Sequence, residues 1–158
     1  MKFAVTGKGG TGKTTIAGIL AHFFSRDGYH VLAVDADPDS NLASAIGVPE
    51  NEVASAIPIS KQRQLITERT GAKPRQFGQL FKMNPRVSDI PEAFSIDHKG
   101  IKLLILGAIQ KGGSGCACPE NVLLRSLLSE IILNHDEVLI LSRLREDIER
   151  ALQGRSNG

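Results

Sequence analysis

Gly7-Lys8-Gly9-Gly10-Thr11-Gly12-Lys13-Thr14 is the stretch that decides the fold. It completes the pattern of a glycine, four free positions and then Gly-Lys-Thr, which wraps around phosphate. Glycines let the backbone curl so that several amide hydrogens converge on phosphate oxygens. A helix beginning at Lys13 offers its positive end to the same anion. Lys13 would reach the β- and γ-phosphates, and the Thr14 hydroxyl would complete a magnesium shell. Gly9, Gly10, Thr11, Gly12 and Thr15 complete the predicted nucleotide-binding set, and the expected ligand is Mg-ATP.

The flanking residues supply the context this loop requires. Residues 2–6 form a short apolar run that predicts a buried strand. After the loop, Ile16, Ile19, Leu20, Phe23 and Phe24 recur at helical spacing until Gly28 stops the pattern. Residues 31–34 predict a second buried strand, closed by Asp35. Strand, loop, helix and strand in this order make a parallel crossover unit.

Further along, residues 40–70 predict helical pieces broken by Pro49 and Pro58, and residues 71–91 predict irregular chain. Asp97-His98-Lys99-Gly100 is the expected tip of a hairpin before a strand at 101–106. Pro119 suits the first position of a helix whose buried face would be Leu123, Leu124, Leu127, Leu128 and Ile131. Residues 138–141 predict the last strand. The fold class is therefore α/β, a mostly parallel sheet flanked by helices, with the nucleotide-binding domain over 1–141 and a charged tail over 142–158.

Composition narrows the function. Apolar residues make up 41% and charged residues 23%, with a formal net charge of +2. That balance gives no broad basic field, so neither nucleic acid nor a membrane is an expected partner. No apolar run reaches the length of a membrane span, and the expected location is the cytoplasm.

Two further stretches carry chemistry. Asp35-Ala36-Asp37-Pro38-Asp39-Ser40-Asn41 lies where a parallel sheet collects ligand groups, so its carboxylates suit magnesium and an attacking water; a turn built by Asp, Pro and Ser is the structural alternative. Cys116-Ala117-Cys118-Pro119 holds both cysteines of the chain. Two thiolates one residue apart can grip a soft or borderline metal but provide half of a tetrahedral shell. A two-fold dimer would bring a second pair. Two buried small residues, or a redox disulfide, are the alternatives.

The lysine-bearing loop Lys8-Gly9-Gly10-Thr11-Gly12-Lys13-Thr14-Thr15 resembles the deviant phosphate loop of the Min/Par, ArsA and nitrogenase iron-protein superfamily. The resemblance implies that Lys8 reaches across a dimer to the partner's nucleotide, that Asp37 positions water beside the magnesium, and that Asn41 lies on the magnesium side. Taken with FGQLFKMNPRVSDI at 77–90 and GGSGCACPENVLL at 112–124, residues 1–141 resemble the carbon monoxide dehydrogenase maturation ATPases, the CooC type. That likeness implies a homodimer bridged by nucleotide and metal, Ni2+ or Zn2+ on Cys116 and Cys118, and carbon monoxide dehydrogenase as the partner that receives nickel.

The resemblance ends at Ser142. Family members continue there into an aspartate-led segment with glycine, whereas this chain has Ser142-Arg143-Leu144-Arg145. Its C-terminal part is expected to be missing, with one sheet edge and some apolar surface left uncovered and ATP hydrolysis weakened. The rival functions are a Min/Par-type partition or cell-division ATPase and an inactive nucleotide-binding fragment.

Overall fold

Two strand–helix–strand passages set the topology of this chain. The computed structural model describes residues 1–7, 10–36, 41–74, 76, 78–107 and 118–142. Strand β1 (Lys2–Val5) leads into helix α1 (Lys13–Arg26), which returns the chain to β2 (Val31–Asp35). Helices α2 (Leu42–Ile46) and α3 (Glu50–Ser55), a 3-10 turn at Ile59–Lys61 and α4 (Arg63–Thr70) follow, separated at Pro49 and Pro58 as the sequence predicts. Irregular chain then reaches α5 (Ile90–Phe94). The hairpin of β3 (Ile96–His98) and β4 (Ile101–Ile105) comes next, and then α6 (Pro119–Asn134) and β5 (Val138–Ser142).

Among the described residues the sheet runs β1-β5-β2-β4-β3. The first four strands are mutually parallel, and β3 joins antiparallel through the Lys99-Gly100 turn. Register matters most at the carboxyl ends, where Val5 stands opposite Ser142, Ser142 opposite Asp35, and Asp35 opposite Ile105. Four strands thus end in one row, and the chain leaves that row into each loop the sequence singled out.

Strand alternation builds two apolar layers. Leu32, Val34, Leu104, Leu139 and Leu141 face α6, whose Leu123, Leu124, Leu127, Leu128 and Ile131 are all buried as predicted. Val31, Ala33, Ile101, Leu103 and Ile140 face α1 and α2. Beside α6, Arg69 of α4 makes a bidentate pair with Asp89, tying irregular chain to the helix before α5; the guanidinium holds the Asp89 carboxyl below its usual range. No helix of the described residues is long and apolar enough to cross a membrane.

One expectation is corrected, and one periodicity needs the structure to be read. β1 is not a buried strand: among the described residues it is the outer strand on its side, and Lys2 and Ala4 are exposed. The apolar repeat predicts the helix α1 correctly, but it is not the face that α1 buries. Ala17, Gly18 and Ala21 are buried, while Ile16, Ile19 and Phe23 point outward and Leu20 and Phe24 are half-buried. Small residues face inward because α2 crosses close by: a Cβ on Gly18 would stand 2.8 Å from the Ala45 carbonyl oxygen.

Gly18→Ala should therefore force α1 and α2 apart. Overpacking of this kind costs about 1–3 kcal/mol, against about 1 kcal/mol gained from helix propensity. Thermal unfolding should show a lower Tm; an unchanged or higher Tm would mean that the contact yields without strain.

Candidate functional site

The glycine loop has the backbone its function demands. Gly7, Gly10 and Gly12 adopt φ of 146°, 78° and 77°, a region that side chains with a Cβ rarely enter. Gly12 is the residue before α1, and neither a side-chain cap nor an acidic residue occupies the helix's first turn. The positive end of a 14-residue helix is therefore presented without a carboxylate of its own. The loop also folds back on itself. A Cβ at Gly7 would stand 3.2 Å from the Thr11 hydroxyl oxygen and 3.6 Å from Lys13 Cδ. The Lys13 stem thus lies along Gly7, at the mouth of the loop, while Thr14 is half-buried and Thr15 exposed. Lys8 and Gly9 fall outside the described residues.

Next along the row, Asp35 is fully buried, and its Oδ2 accepts a hydrogen bond from the Leu42 amide at 3.0 Å. The backbone amide of Ala36 donates to the Ser142 carbonyl oxygen at 3.3 Å. Both ends of the 36–42 segment are therefore anchored: one to β5, the other to a carboxylate at the end of β2. Sequence alone left Asp35 between magnesium and a turn; here its carboxylate has a backbone partner at the first residue of α2. Asp37 lies inside this segment, outside the described residues. Ser142, which the sequence marks only as a departure from the family, is buried in the row between Val5 and Asp35.

The third loop ends at Cys118, the residue before α6. Its carbonyl oxygen accepts from the Val122 amide at 3.1 Å, and its side chain makes no cap bond. The residue is half-buried at the helix N-terminus. Pro119 opens the helix as predicted, and Glu120 in the same turn has a buried Oε2 without a hydrogen-bond partner. Cys116 falls outside the described residues. Among the described residues no cluster of three or more His, Cys, Asp or Glu side chains could hold a metal.

An uncapped helix start, left-handed glycines and a lysine folded along them fit a nucleotide's phosphates. Residues 2–155 match the CobQ/CobB/MinD/ParA nucleotide binding domain. The chain belongs to this nucleotide-binding family. ATP and magnesium are the ligands the family implies for the glycine loop. Among similar proteins is the carbon monoxide dehydrogenase accessory protein CooC of Rhodospirillum rubrum, 54% identical over 89% of this chain and 53% of the relative. An ATP-binding protein of Methanocaldococcus jannaschii is 49% identical over the same shares, 89% and 53%. A plasmid partition protein from Borrelia burgdorferi shares the fold, with a TM-score of 0.52 at 18% identity over 91% of this chain and 55% of its own. The chain spans about half the length of the curated relatives it matches.

Asp35→Ala should leave the buried Leu42 amide without its acceptor, costing about 1–3 kcal/mol. Asp35→Asn, which keeps an acceptor oxygen, should lose less. Denaturant titration of the three proteins checks this order; equal stabilities would show that the bond contributes nothing.

Proposed function

We propose that this chain is the nucleotide-switched part of a metal-handling ATPase that helps insert nickel during maturation of carbon monoxide dehydrogenase. The observation that carries the reading is the juxtaposition at one sheet edge: the glycine loop, the anchored 36–42 segment and the loop ending at Cys118 all leave the same row of strand ends. Support for the substrate comes from the accessory protein of Rhodospirillum rubrum, with 54% identity over 89% of this chain.

In this reading the loop amides from Gly9 to Thr15 and the Lys13 ammonium hold the phosphates, with the Thr14 hydroxyl directed to magnesium. Magnesium, when bound, neutralises charge on the phosphate oxygens. Lys8 contacts the nucleotide of a second subunit, and Asp37 accepts a hydrogen bond from the attacking water. Asp35 acts on the chemistry indirectly, by holding both the segment that carries Asp37 and the start of α2. Cys116 and Cys118 grip nickel or zinc as cargo, two thiolates from each subunit of a homodimer. The buried first turn of α6 carries a nucleotide-driven shift to that pair. Ser142, where related ATPases carry an aspartate, makes hydrolysis slow.

Lys13→Ala removes a charge-assisted contact, so affinity for a fluorescent ATP analogue should fall about tenfold or more. Equal affinity in the two proteins would remove Lys13 from the site.

Metal binding has its own arithmetic. Nickel or zinc held by protein takes about four ligands, so one metal per two chains is expected, tighter with ATP and weaker at acid pH where protons compete for thiolates. Metal stoichiometry together with mass by light scattering checks this. Tight binding by a monomer, or binding unchanged in Cys116→Ala/Cys118→Ala, would contradict the bridging site.

A further inference from the structure

The irregular chain after α4 closes into a loop, residues 71–82, that is held from within. The backbone amide of Lys82 donates to the Thr70 carbonyl oxygen at 2.8 Å, joining the two ends. Thr70 is fully buried; its hydroxyl donates to the Ile66 carbonyl oxygen at 2.6 Å and accepts from the Ala72 amide at 3.3 Å. Across the loop, the Gln79 side chain accepts from the Lys73 amide at 2.9 Å. The same side chain donates to the carbonyl oxygens of Lys73 and Gln76, both at 3.0 Å. Just beyond, the Arg69 guanidinium reaches the Arg86 carbonyl oxygen at 3.3 Å as well as the Asp89 carboxylate. Compact surface loops fixed by their own side chains commonly carry function.

This fixed loop displays apolar side chains instead of packing them. Leu80 is 97% exposed, and Met83, just past the closing bond, is 59% exposed. Charge is concentrated in the same stretch. From Ala72 to Ser88 the sequence has Lys73, Arg75, Lys82 and Arg86 and no Asp or Glu. Because the whole chain carries a formal net charge of only +2, the remainder is net acidic. Lys73 and Lys82 are exposed, and among the described residues neither makes an ion pair. Exposed apolar groups ringed by charge of one sign mark an interaction surface for a partner of the opposite sign.

We propose that the 71–82 loop, with Met83, docks this chain on an acidic protein surface that holds an apolar pocket for Leu80. An apolar centre inside a charged rim is how protein interfaces are arranged. The internal bonds of Gln79 and Thr70 order the loop beforehand, so little conformational entropy is lost on docking. Only the identity of the partner rests on the proposed function: it is the nickel-accepting carbon monoxide dehydrogenase. An anionic membrane is the competing occupant. It favours a broad basic face or an amphipathic helix, whereas this surface is one loop with two exposed apolar side chains.

The test titrates this chain against nickel-free carbon monoxide dehydrogenase and, separately, against phosphatidylglycerol vesicles. A complex with the dehydrogenase should form and weaken as salt rises. Leu80→Asp should lower its affinity about tenfold or more, and Lys73→Glu/Lys82→Glu should do the same. Both variants change exposed side chains away from the glycine loop, so Tm and affinity for a fluorescent ATP analogue should stay as in the wild type. Gln79→Ala, which leaves every docking side chain in place, should weaken the complex by a smaller factor. Equal affinity of wild type and Leu80→Asp for the dehydrogenase would overturn the proposal. So would no complex at all, or loop-dependent binding to the vesicles alone. The metal stoichiometry of the Cys116 and Cys118 pair is read without the dehydrogenase, so it separates the two failures. Metal bound as expected without loop-dependent docking would overturn the docking loop alone, and the reverse would overturn the metal-handling role alone.

Discussion

Parallel pairing in a single register is the constraint on which everything else depends. Because β1, β5, β2 and β4 run the same way and end level, Val5, Ser142, Asp35 and Ile105 form one row. Every connection out of that row must start at the same edge of the sheet. There the backbone amides and carbonyls at strand ends seek new partners, and helix starts collect. Had β5 joined antiparallel, Ser142 would stand at the opposite edge, away from the end of Asp35.

Asp35 shows how that constraint is turned into a site. A fully buried carboxylate is costly unless it is hydrogen-bonded. The cost is offset here by the Leu42 amide, which donates to it. The same bond fixes where α2 begins, and α2 in turn lies so close to α1 that only a residue without a Cβ fits at position 18. The helix that follows the phosphate loop, α1, and the helix that Asp35 anchors, α2, are therefore packed together. A shift at the nucleotide has few ways to be absorbed locally.

Much of this was legible in the sequence. The glycine loop, the Pro119 start of α6 with its five buried leucine and isoleucine positions, and the breaks at Pro49 and Pro58 were readable because each depends on local chemistry. What was not legible depends on neighbours. The Ile16–Ile19–Phe23 stripe is as apolar as a buried face, and periodicity reports which side of a helix is apolar rather than which side is covered. The inward side is made of Ala17, Gly18 and Ala21, whose fitness comes from the nearness of α2. Likewise the 2–6 run reads as a buried strand because its residues are apolar, yet strand order among the described residues places it at the edge. The bond from Leu42 to Asp35 spans seven residues, and no local motif announces it.

The central claim is that phosphate binds on the backbone of the glycine loop. Hydrogen exchange resolved to single amides, with and without Mg-ATP, addresses it directly. Slowed exchange is expected at Gly10 to Thr15, with smaller effects at Leu42 and the start of α6. Exchange unchanged across the loop at saturating nucleotide, or protection confined to another part of the chain, would contradict it.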